Sequence, residues 1–407
     1  MKEKIKSLIN KDNRAKLLNL VYSILATAVF NAVLQIVIYP SFADRLGTAD
    51  YGVALSAISL LAIVAGTCGY AVNCSRLLGV KQNRTQNGDY NLILLAMGAV
   101  GSLIGVGYLG YIGILSPVSA VLFSVLTVFT MLRYYSEVEF RLSANFLRYM
   151  IYYFLISAGY IIGLLVFRLT GSWMATLIIG EAMAVLYVVI RGSIYRSPLL
   201  RPTKNFLPIL ASIGFIFLSS LIDNVTLHAD RILLLSITGD GTAVTIYYAA
   251  SLVGKIVAML TLPINALLLS YLVRYKGELS RKLWTVVIGG ASAFGALGFV
   301  GCIAVSPLFI KILYSADILS LALPYVVPAI LGQIFYFVSG MLMIVLLHFK
   351  GEKKQLIFNA CYAVIFFACV IVGTSLGGLS GFVWSVCAAN AARFAIAVIW
   401  GFIGKKK

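Results

Sequence analysis

The sequence predicts an all-α polytopic membrane protein, and three observations carry this prediction. Of the 407 residues, 61% are hydrophobic and only 11% are charged, whereas about a quarter of the residues of a soluble domain carry charge. Apolar runs of about 20 residues, the length that spans a bilayer as a helix, recur along the whole chain. Lys and Arg collect in alternate connections between these runs, as expected for helices that cross a membrane back and forth.

Twelve runs are long enough to be membrane-spanning helices, six in each half of the chain. We expect a polar cytoplasmic segment over residues 1–16, a six-helix lobe over 17–200, a second lobe over 201–403 and a basic cytoplasmic tail over 404–407. The predicted helices are 17–39, 51–74, 90–112, 116–136, 147–167, 173–190, 206–227, 242–272, 284–304, 319–347, 356–375 and 380–403.

The basic residues predict the orientation of these helices. Most of the 32 Lys and Arg residues fall at the two termini and in alternate connections, and Arg133, near the end of the fourth run, is counted with the connection that follows it. The opposite connections carry only Arg45, Arg168, Arg231 and Lys311. By the positive-inside rule both termini are cytoplasmic. The net charge of +18 is therefore a topology signal, and we expect no nucleic-acid partner.

A few amides inside the apolar runs are candidates for function. Asn31 and Gln35 are four residues apart, so a helix places them on one face. Because amides in hydrocarbon are costly unless another helix or water meets them, this face should meet protein or a cavity. Asn73 and Arg76 share a face of the second helix in the same way. For Arg76, a cavity cation and an ordinary interfacial anchor are equally good interpretations.

Charged residues inside the membrane are few. A charge at the bilayer centre costs about 2.5–3.5 kcal/mol even on the insertion scale, so those present are usually functional. Lys255 and Arg393 lie near mid-depth in the eighth and twelfth runs, which favours a cavity that accepts an anion. Glu181 and Asp223 are either coupling-ion sites or structural partners of these cations, and the sequence leaves both interpretations open.

No constellation typical of an enzyme or a cofactor site stands out. The six cysteines all fall in apolar runs without metal-ligand spacing and are expected to be small core residues. We find no nucleophile with a base, no paired catalytic carboxylates and no phosphate-binding glycine loop. The sequence therefore predicts no cofactor, no metal and no catalysis. Any pumping would use an ion gradient, the membrane potential or the substrate gradient.

A short internal similarity links the two halves of the chain. Ala-Asp-Arg occurs at 43–45 after the first run and at 229–231 after the seventh. Each copy is followed by a glycine-containing turn with an aspartate, and then by a tyrosine in the next helix. Two six-helix halves are typical of transporters built from parallel repeats, in which the substrate site lies between the halves.

The opening of the chain combines Asn31, Gln35 and Tyr39-Pro40 with Arg-Leu-Gly at 45–47, Asp-Tyr-Gly at 50–52 and a second helix that ends near Arg76. This opening resembles that of the polysaccharide-repeat (Wzx-like) flippases of the multidrug/oligosaccharidyl-lipid/polysaccharide (MOP) exporter superfamily. The segment 219–250 and the length near 400 also fit that branch. The lipid II flippases typically carry two further helices, and there this chain departs from them.

The resemblance implies a MATE-like bundle of two lobes around a cationic cavity. It implies transport of undecaprenyl-diphosphate-linked oligosaccharide across the bacterial plasma membrane by alternating access, for O-antigen, capsule or exopolysaccharide synthesis. The partners it implies are that lipid-linked substrate, membrane lipids, a polysaccharide polymerase and a chain-length regulator. The residues expected to line the cavity are Lys255, Arg393, Arg76, Asn31, Gln35 and Asn73.

Other functions stay open at this point. An ion-coupled multidrug exporter of the same superfamily would favour acidic residues in the cavity, and here the cations outnumber them. A non-transporting membrane scaffold for polysaccharide synthesis would not require charges at mid-membrane. A membrane polymerase or glycosyltransferase would usually carry a large extramembrane loop, and no connection in this chain is that long.

Overall fold

The structure is a computed structural model that describes residues 11–80, 84–259, 268, 272, 277, 279–350 and 352–403. All regular elements of the described residues are helical, which confirms the predicted all-α class. Ten of the described helices are long and apolar enough to cross a membrane. The predicted tail 404–407, and residues 1–10 of the predicted N-terminal segment, lie outside the described residues.

The helices follow the predicted order along the chain. They are α1 (Lys11–Ala32), α2 (Tyr39–Leu46), α3 (Thr48–Gly79), α4 (Asn87–Tyr111), α5 (Pro117–Leu142), α6 (Phe146–Thr170), α7 (Trp173–Arg191), α8 (Phe206–Thr238), α9 (Gly241–Met259), α10 (Arg281–Leu313), α11 (Ala316–Lys350) and α12 (Glu352–Phe402).

The first helix changes its winding halfway. A π-helical turn, Val33–Ile38, joins α1 to α2, and the Tyr39 N–H donates to the Leu34 carbonyl five residues back. Pro40 follows at once and has no N–H to donate, so the ordinary α ladder cannot continue unchanged here. π-Turns inside α-helices often occur at functional sites. The turn also means that Asn31 and Gln35 are not held in the regular i, i+4 geometry expected from the sequence.

Helix α12 is two helices in succession. Gly377 and Gly378 leave the helical conformation, and Gly378 takes a positive φ of 54°. The arms 352–376 and 379–402 lie side by side, since the Tyr362 hydroxyl donates to Asn390 Oδ1 at 2.5 Å. They correspond to the last two membrane runs of the sequence. α9, which is described as far as Met259, corresponds to the eighth run, and the rest of the predicted eighth run lies largely outside the described residues.

Two arginines that the sequence analysis placed in connections are buried inside helices. Arg133 lies within α5 and is 4% exposed, and Arg231 lies within α8 and is 8% exposed. Their assignment to connections is wrong because each arginine pairs with a carboxylate, which offsets the cost of burial. The predicted seventh run ends before Arg231, because hydropathy along the chain counts each charge as exposed and does not include its pairing with a carboxylate.

The chain divides into two compact units. The N-terminal unit comprises Met1–Leu46 and Ala57–His228, and the C-terminal unit comprises Gly47–Ser56 and Ala229–Lys407. The first turns of α3 therefore belong to the C-terminal unit, where Gly52 packs directly against Gly241 at the start of α9. The end of α8 likewise belongs to the C-terminal unit, together with α9 to α12.

Candidate functional site

The C-terminal unit holds a buried charge triad, which we call the α8–α9 triad and define as Asp230, Arg231 and Lys255. Lys255 Nζ lies 2.7 Å from Asp230 Oδ2, and Arg231 Nε lies 3.6 Å from Asp230 Oδ1. Lys255 Nζ also lies 5.0 Å above the Tyr247 ring and 5.7 Å from that of Tyr248. The carboxylate thus holds two cations at once.

The turn between α8 and α9 brings the members of this triad together. Gly239 takes a positive φ of 66°, which favours glycine, and Asp240 Oδ1 accepts from the Thr242 N–H at 2.8 Å. A turn this short makes consecutive helices close neighbours. Asp230 on α8 and Lys255 on α9 therefore meet although 25 residues separate them.

A second buried cation, Arg393, lies in an aromatic cage formed by Tyr336, Phe358 and Tyr362. Its Cζ lies 4.1 Å from the Tyr336 ring centroid, 4.8 Å from that of Tyr362 and 5.9 Å from that of Phe358. Only 8% of Arg393 is exposed. Its Nε and Nη1 find no hydrogen-bond partner, and it forms no ion pair within the described residues.

The cage and the triad belong to one electrostatic environment. The Tyr362 hydroxyl interacts electrostatically with both Arg393 and Asp230, and Tyr247 interacts with Asp230 and with Tyr362. Among the described residues of this cluster, three cations, Arg231, Lys255 and Arg393, stand beside one carboxylate, Asp230. Buried charge without a partner is costly, so this cluster is suited to receive an anion. It contains both cations that the sequence singled out.

Two buried charges of the N-terminal unit, Arg133 and Glu181, are paired with each other. Arg133 Nε lies 2.7 Å from Glu181 Oε2, and the Tyr160 hydroxyl donates to Glu181 Oε1 at 2.8 Å. Arg133 Cζ lies 3.9 Å from the centre of the Tyr134 ring. Glu181 therefore partners Arg133, not one of the two cations considered in the sequence analysis.

A second carboxylate of this unit is held in a similar way. Glu137 Oε2 pairs with Arg141 at 2.6 Å, and Glu137 Oε1 accepts from the Tyr153 hydroxyl at 2.7 Å. Asp89 accepts from the N–H and the hydroxyl of Thr203, each at 2.6 Å. These buried carboxylates are thus fully engaged with protein groups.

Arg76 is buried and held by protein groups at both of its terminal nitrogens. It donates to the Tyr135 hydroxyl and, through Nη2, to Asn87 Oδ1 at 2.6 Å. Asn87 in turn donates to the carbonyls of Ser193 and Arg196. Arg76 thus ties the connection after α3 to the connection after α7, and these contacts favour an anchoring role.

The remaining predicted residues occupy separate places in the N-terminal unit. Asn73 donates to the Tyr134 carbonyl at 2.8 Å and joins α3 to α5. Asn31 donates to Thr27 within its own helix at 2.8 Å, whereas Gln35 is buried in the π-turn. Asp223 is exposed on α8, where it interacts electrostatically with Tyr70.

Sequence reasoning missed Asp230 as a buried residue, Arg133 as an intramembrane cation and the cage around Arg393. Asp230 and Arg133 could have been found from the sequence, because each is an ionisable residue at the end of a long apolar run or close to one. The cage could not, since Tyr336, Phe358 and Tyr362 come from two other helical segments and look like ordinary membrane aromatics.

No family model matches this chain, and no curated protein matches its sequence. Solved structures do match its fold. One is an inward-facing MATE-family multidrug resistance transporter of the MOP superfamily, with a TM-score of 0.67 and 12% identity over 93% of each chain. Another is the lipid II flippase MurJ in an inward closed conformation, with a TM-score of 0.72 and 14% identity over 93% of this chain and 87% of that one.

A third match is MATE in complex with MaD3S, with a TM-score of 0.62 and 14% identity over 95% of this chain and 94% of that one. The TM-scores demonstrate a shared fold, and at identities this low the similarity demonstrates the fold alone. The neighbours themselves are transporters and a flippase, not enzymes. The MATE-like helical architecture expected from the sequence is therefore confirmed.

Proposed function

We propose that this protein is a transporter that moves an anionic, lipid-linked oligosaccharide across a membrane by alternating access. The substrate class that fits best is undecaprenyl-diphosphate-linked repeat units for a surface polysaccharide. The fold supports a transport function, because its structural neighbours are named as transporters and as a lipid II flippase. The excess of buried cations in the C-terminal unit supports a negatively charged substrate.

The observation that carries the proposal is the surplus of positive charge in the C-terminal unit. A diphosphate cannot cross hydrocarbon unaided, and cationic donors offset its lost hydration through charge-assisted hydrogen bonds. Arg393 has donors that no described residue uses, and guanidinium geometry matches phosphate and carboxylate oxygens. Lys255 supplies a second cation, held in position by Asp230.

The other assignments of this proposal follow from the resemblance and from the charge pattern. We place the protein in the bacterial inner membrane with both termini in the cytoplasm, and regard the lobes 17–200 and 201–403 as its two functional halves. Asn31, Gln35 and Asn73 are proposed to line or gate the path. A polysaccharide polymerase and a chain-length regulator are the proposed protein partners.

A deletion strain complemented with variants tests the proposal. Lys255→Ala and Arg393→Ala should each abolish surface polysaccharide and cause lipid-linked oligosaccharide to accumulate, at unchanged protein level in the membrane. Lys311→Ala is the matched control, because Lys311 is an exposed cation outside the cluster, and it should support normal export. Normal polysaccharide in both cluster variants would contradict the role of the cations.

The alternative of a multidrug exporter has one specific observation in its favour, namely the fold shared with MATE transporters. Efflux of organic cations from cells or vesicles tests it directly. We expect no protection against cationic drugs from this protein, because Arg133 engages Glu181 and because the C-terminal cluster is positive. Efflux of cationic drugs by the wild-type protein would favour the exporter instead.

A further inference from the structure

A small recess that opens to the protein surface lies where α5, α6 and α7 meet, far along the chain from the charge cluster. It is lined by Arg148 in the first turn of α6, by Arg191 at the end of α7, and by Glu139 and Tyr187. The Arg148 N–H donates to Asn145 Oδ1, which caps the start of α6 at this recess. Two cations and a helix N-terminus therefore border one recess.

The recess carries a net positive charge because two arginines border it beside one carboxylate, and that carboxylate is held by neutral donors and not by either arginine. Glu139 Oε2 accepts from the N–H groups of Ser193 at 3.0 Å and of Ile194 at 3.2 Å, and both carboxylate oxygens accept from the Ser193 hydroxyl. Neither Arg148 nor Arg191 forms an ion pair within the described part of the chain. Both guanidinium groups thus remain available to an anion.

The shape of the recess depends on a glycine and on a pair of rings. Gly192 approaches so closely that a Cβ there would lie 2.6 Å from the Val188 carbonyl oxygen and 3.2 Å from Glu139 Cδ. The Tyr187 and Phe140 rings stack with centroids 6.2 Å apart. The wall is therefore rigid on one side, and the arginines border the other.

Exposed apolar side chains lie close along the chain to both arginines of the recess. Leu147 on α6, and Leu186 and Ile190 on α7, are 46%, 57% and 62% exposed. These helices are membrane-spanning candidates, so such side chains face acyl chains. A ligand with a phosphate at one end and hydrocarbon at the other fits both parts, whereas a free phosphate uses only the first.

We propose that this recess binds the headgroup of an anionic phospholipid, with the phosphate between Arg148 and Arg191 and the acyl chains along α6 and α7. Basic pockets between helices at the cytoplasmic side are suited to such headgroups. The site is separate from the proposed transport site and stands without it.

Lipid retention by the full chain tests this proposal. The protein is reconstituted in nanodiscs of mixed phosphatidylglycerol and phosphatidylcholine, extracted into detergent and analysed by native mass spectrometry for retained phosphatidylglycerol. The double variant Arg148→Gln/Arg191→Gln should lose on the order of tenfold in retention. Arg196→Gln/Lys204→Gln removes two exposed cations outside the recess and should retain the wild-type amount.

Equal retention in the wild type and the recess variant, or an equal loss in the control, would overturn the proposal. Ser143→Trp fills the recess without a change of charge and should cause a similar loss of phosphatidylglycerol retention. This second variant keeps the proposal testable if the double variant misfolds. The second source of phosphate is tested with inorganic phosphate in phosphatidylcholine alone. Protection of the wild type from thermal unfolding there, absent in the recess variant, would assign a free-anion site and overturn the lipid assignment.

Discussion

Arg133 and Glu181 form a fully enclosed ion pair within the N-terminal unit. Desolvation of the two charges is offset by the short contact between them, by the hydroxyl of Tyr160 and by the Tyr134 ring. Such a pair contributes little net stability compared with apolar residues, but removal of one partner leaves the other charge buried and costs about 3–5 kcal/mol.

We therefore expect Glu181→Gln to lower the thermal unfolding temperature and the membrane yield, since Arg133 loses its counter-ion. Thermal unfolding of the purified protein in detergent measures this effect. Asp44→Asn, at an exposed carboxylate, is the control and should melt like the wild type. Recovery of stability in the double variant Arg133→Met/Glu181→Leu would confirm that the pair, and not the site as such, is responsible. Unchanged melting of Glu181→Gln would contradict the burial of this pair.

The Arg393 cage differs from this pair because rings, not a carboxylate, surround the cation. Cation–π contacts are worth about 0.5–1 kcal/mol at exposed sites and about 2 kcal/mol when desolvated, and they leave the guanidinium N–H groups free to bind another partner.

This arrangement predicts a graded series at position 393. Arg393→Lys keeps the charge but loses the planar fork, so export of polysaccharide should fall partly, whereas Arg393→Ala should abolish it. The amount of lipid-linked oligosaccharide that accumulates in the complemented deletion strain measures both. Full activity of Arg393→Ala beside impaired Arg393→Lys would contradict an anion contact at this residue.

At the scale of helices, the contact between α3 and α9 depends on the absence of side chains. A Cβ on Gly241 would overlap the Ala49 carbonyl oxygen, and one on Gly52 would overlap the Gly241 carbonyl. Thr245 adds a hydroxyl that donates to the Thr48 carbonyl at 2.7 Å across the same contact. The backbones of the two helices therefore approach as closely as glycine permits.

We expect Gly241→Ala to destabilise the protein, because α3 and α9 must move apart; overpacking of this kind costs about 1–3 kcal/mol. Gly289→Ala is the matched control, since a Cβ there meets nothing within 4 Å, and Ala in place of Gly within a helix gains about 0.5–1 kcal/mol. The two variants should shift the unfolding temperature in opposite directions. A shift of the same sign and size in both would refute the close contact.

The internal similarity between the two halves is seen in the structure at two turn glycines. Gly47 and Gly239 both take positive φ, 79° and 66°, between two helices. The Asp-Arg pairs before them differ, because Asp44 and Arg45 are exposed whereas Asp230 and Arg231 are buried. The two halves therefore share the backbone conformation of the turn, whereas the Asp-Arg pair is buried in the C-terminal unit and exposed in the other copy.

At the scale of the whole molecule, the two units differ in the partners of their buried charged residues. In the N-terminal unit, Arg133 pairs with Glu181, neutral groups hold Arg76, and the other buried carboxylates bind protein donors. Among its described residues, the C-terminal unit has more cations than carboxylates in its interior. An anionic substrate is therefore expected to interact most strongly with residues of the C-terminal unit.

The proposed topology makes a prediction for the complete chain in the membrane. In a variant without the six native cysteines, Leu115→Cys lies in the connection between α4 and α5, and Arg196→Cys in the connection after α7. Because the positive-inside rule places Arg196 in the cytoplasm, a membrane-impermeant thiol reagent added to intact cells should label position 115 and not position 196. The reverse pattern would invert the orientation and contradict cytoplasmic termini.

The sequence by itself determined the helical class, the order of the helices and the two most conspicuous buried cations. Hydropathy and the alternation of Lys and Arg suffice for this, because every spanning segment must satisfy its own backbone in lipid. Lys255 and Arg393 stood out since a charge inside an apolar run is visible without any knowledge of its neighbours.

Only the tertiary structure decided which charges are paired. Asp230 reaches Lys255 across a helix turn, Glu181 reaches Arg133 from another helix, and the rings around Arg393 come from α11 and the first arm of α12. The cost of burying a charge depends on the groups within a few ångströms of it. Those groups are distant along the chain, so a one-dimensional pattern shows which residues are costly but not what offsets the cost.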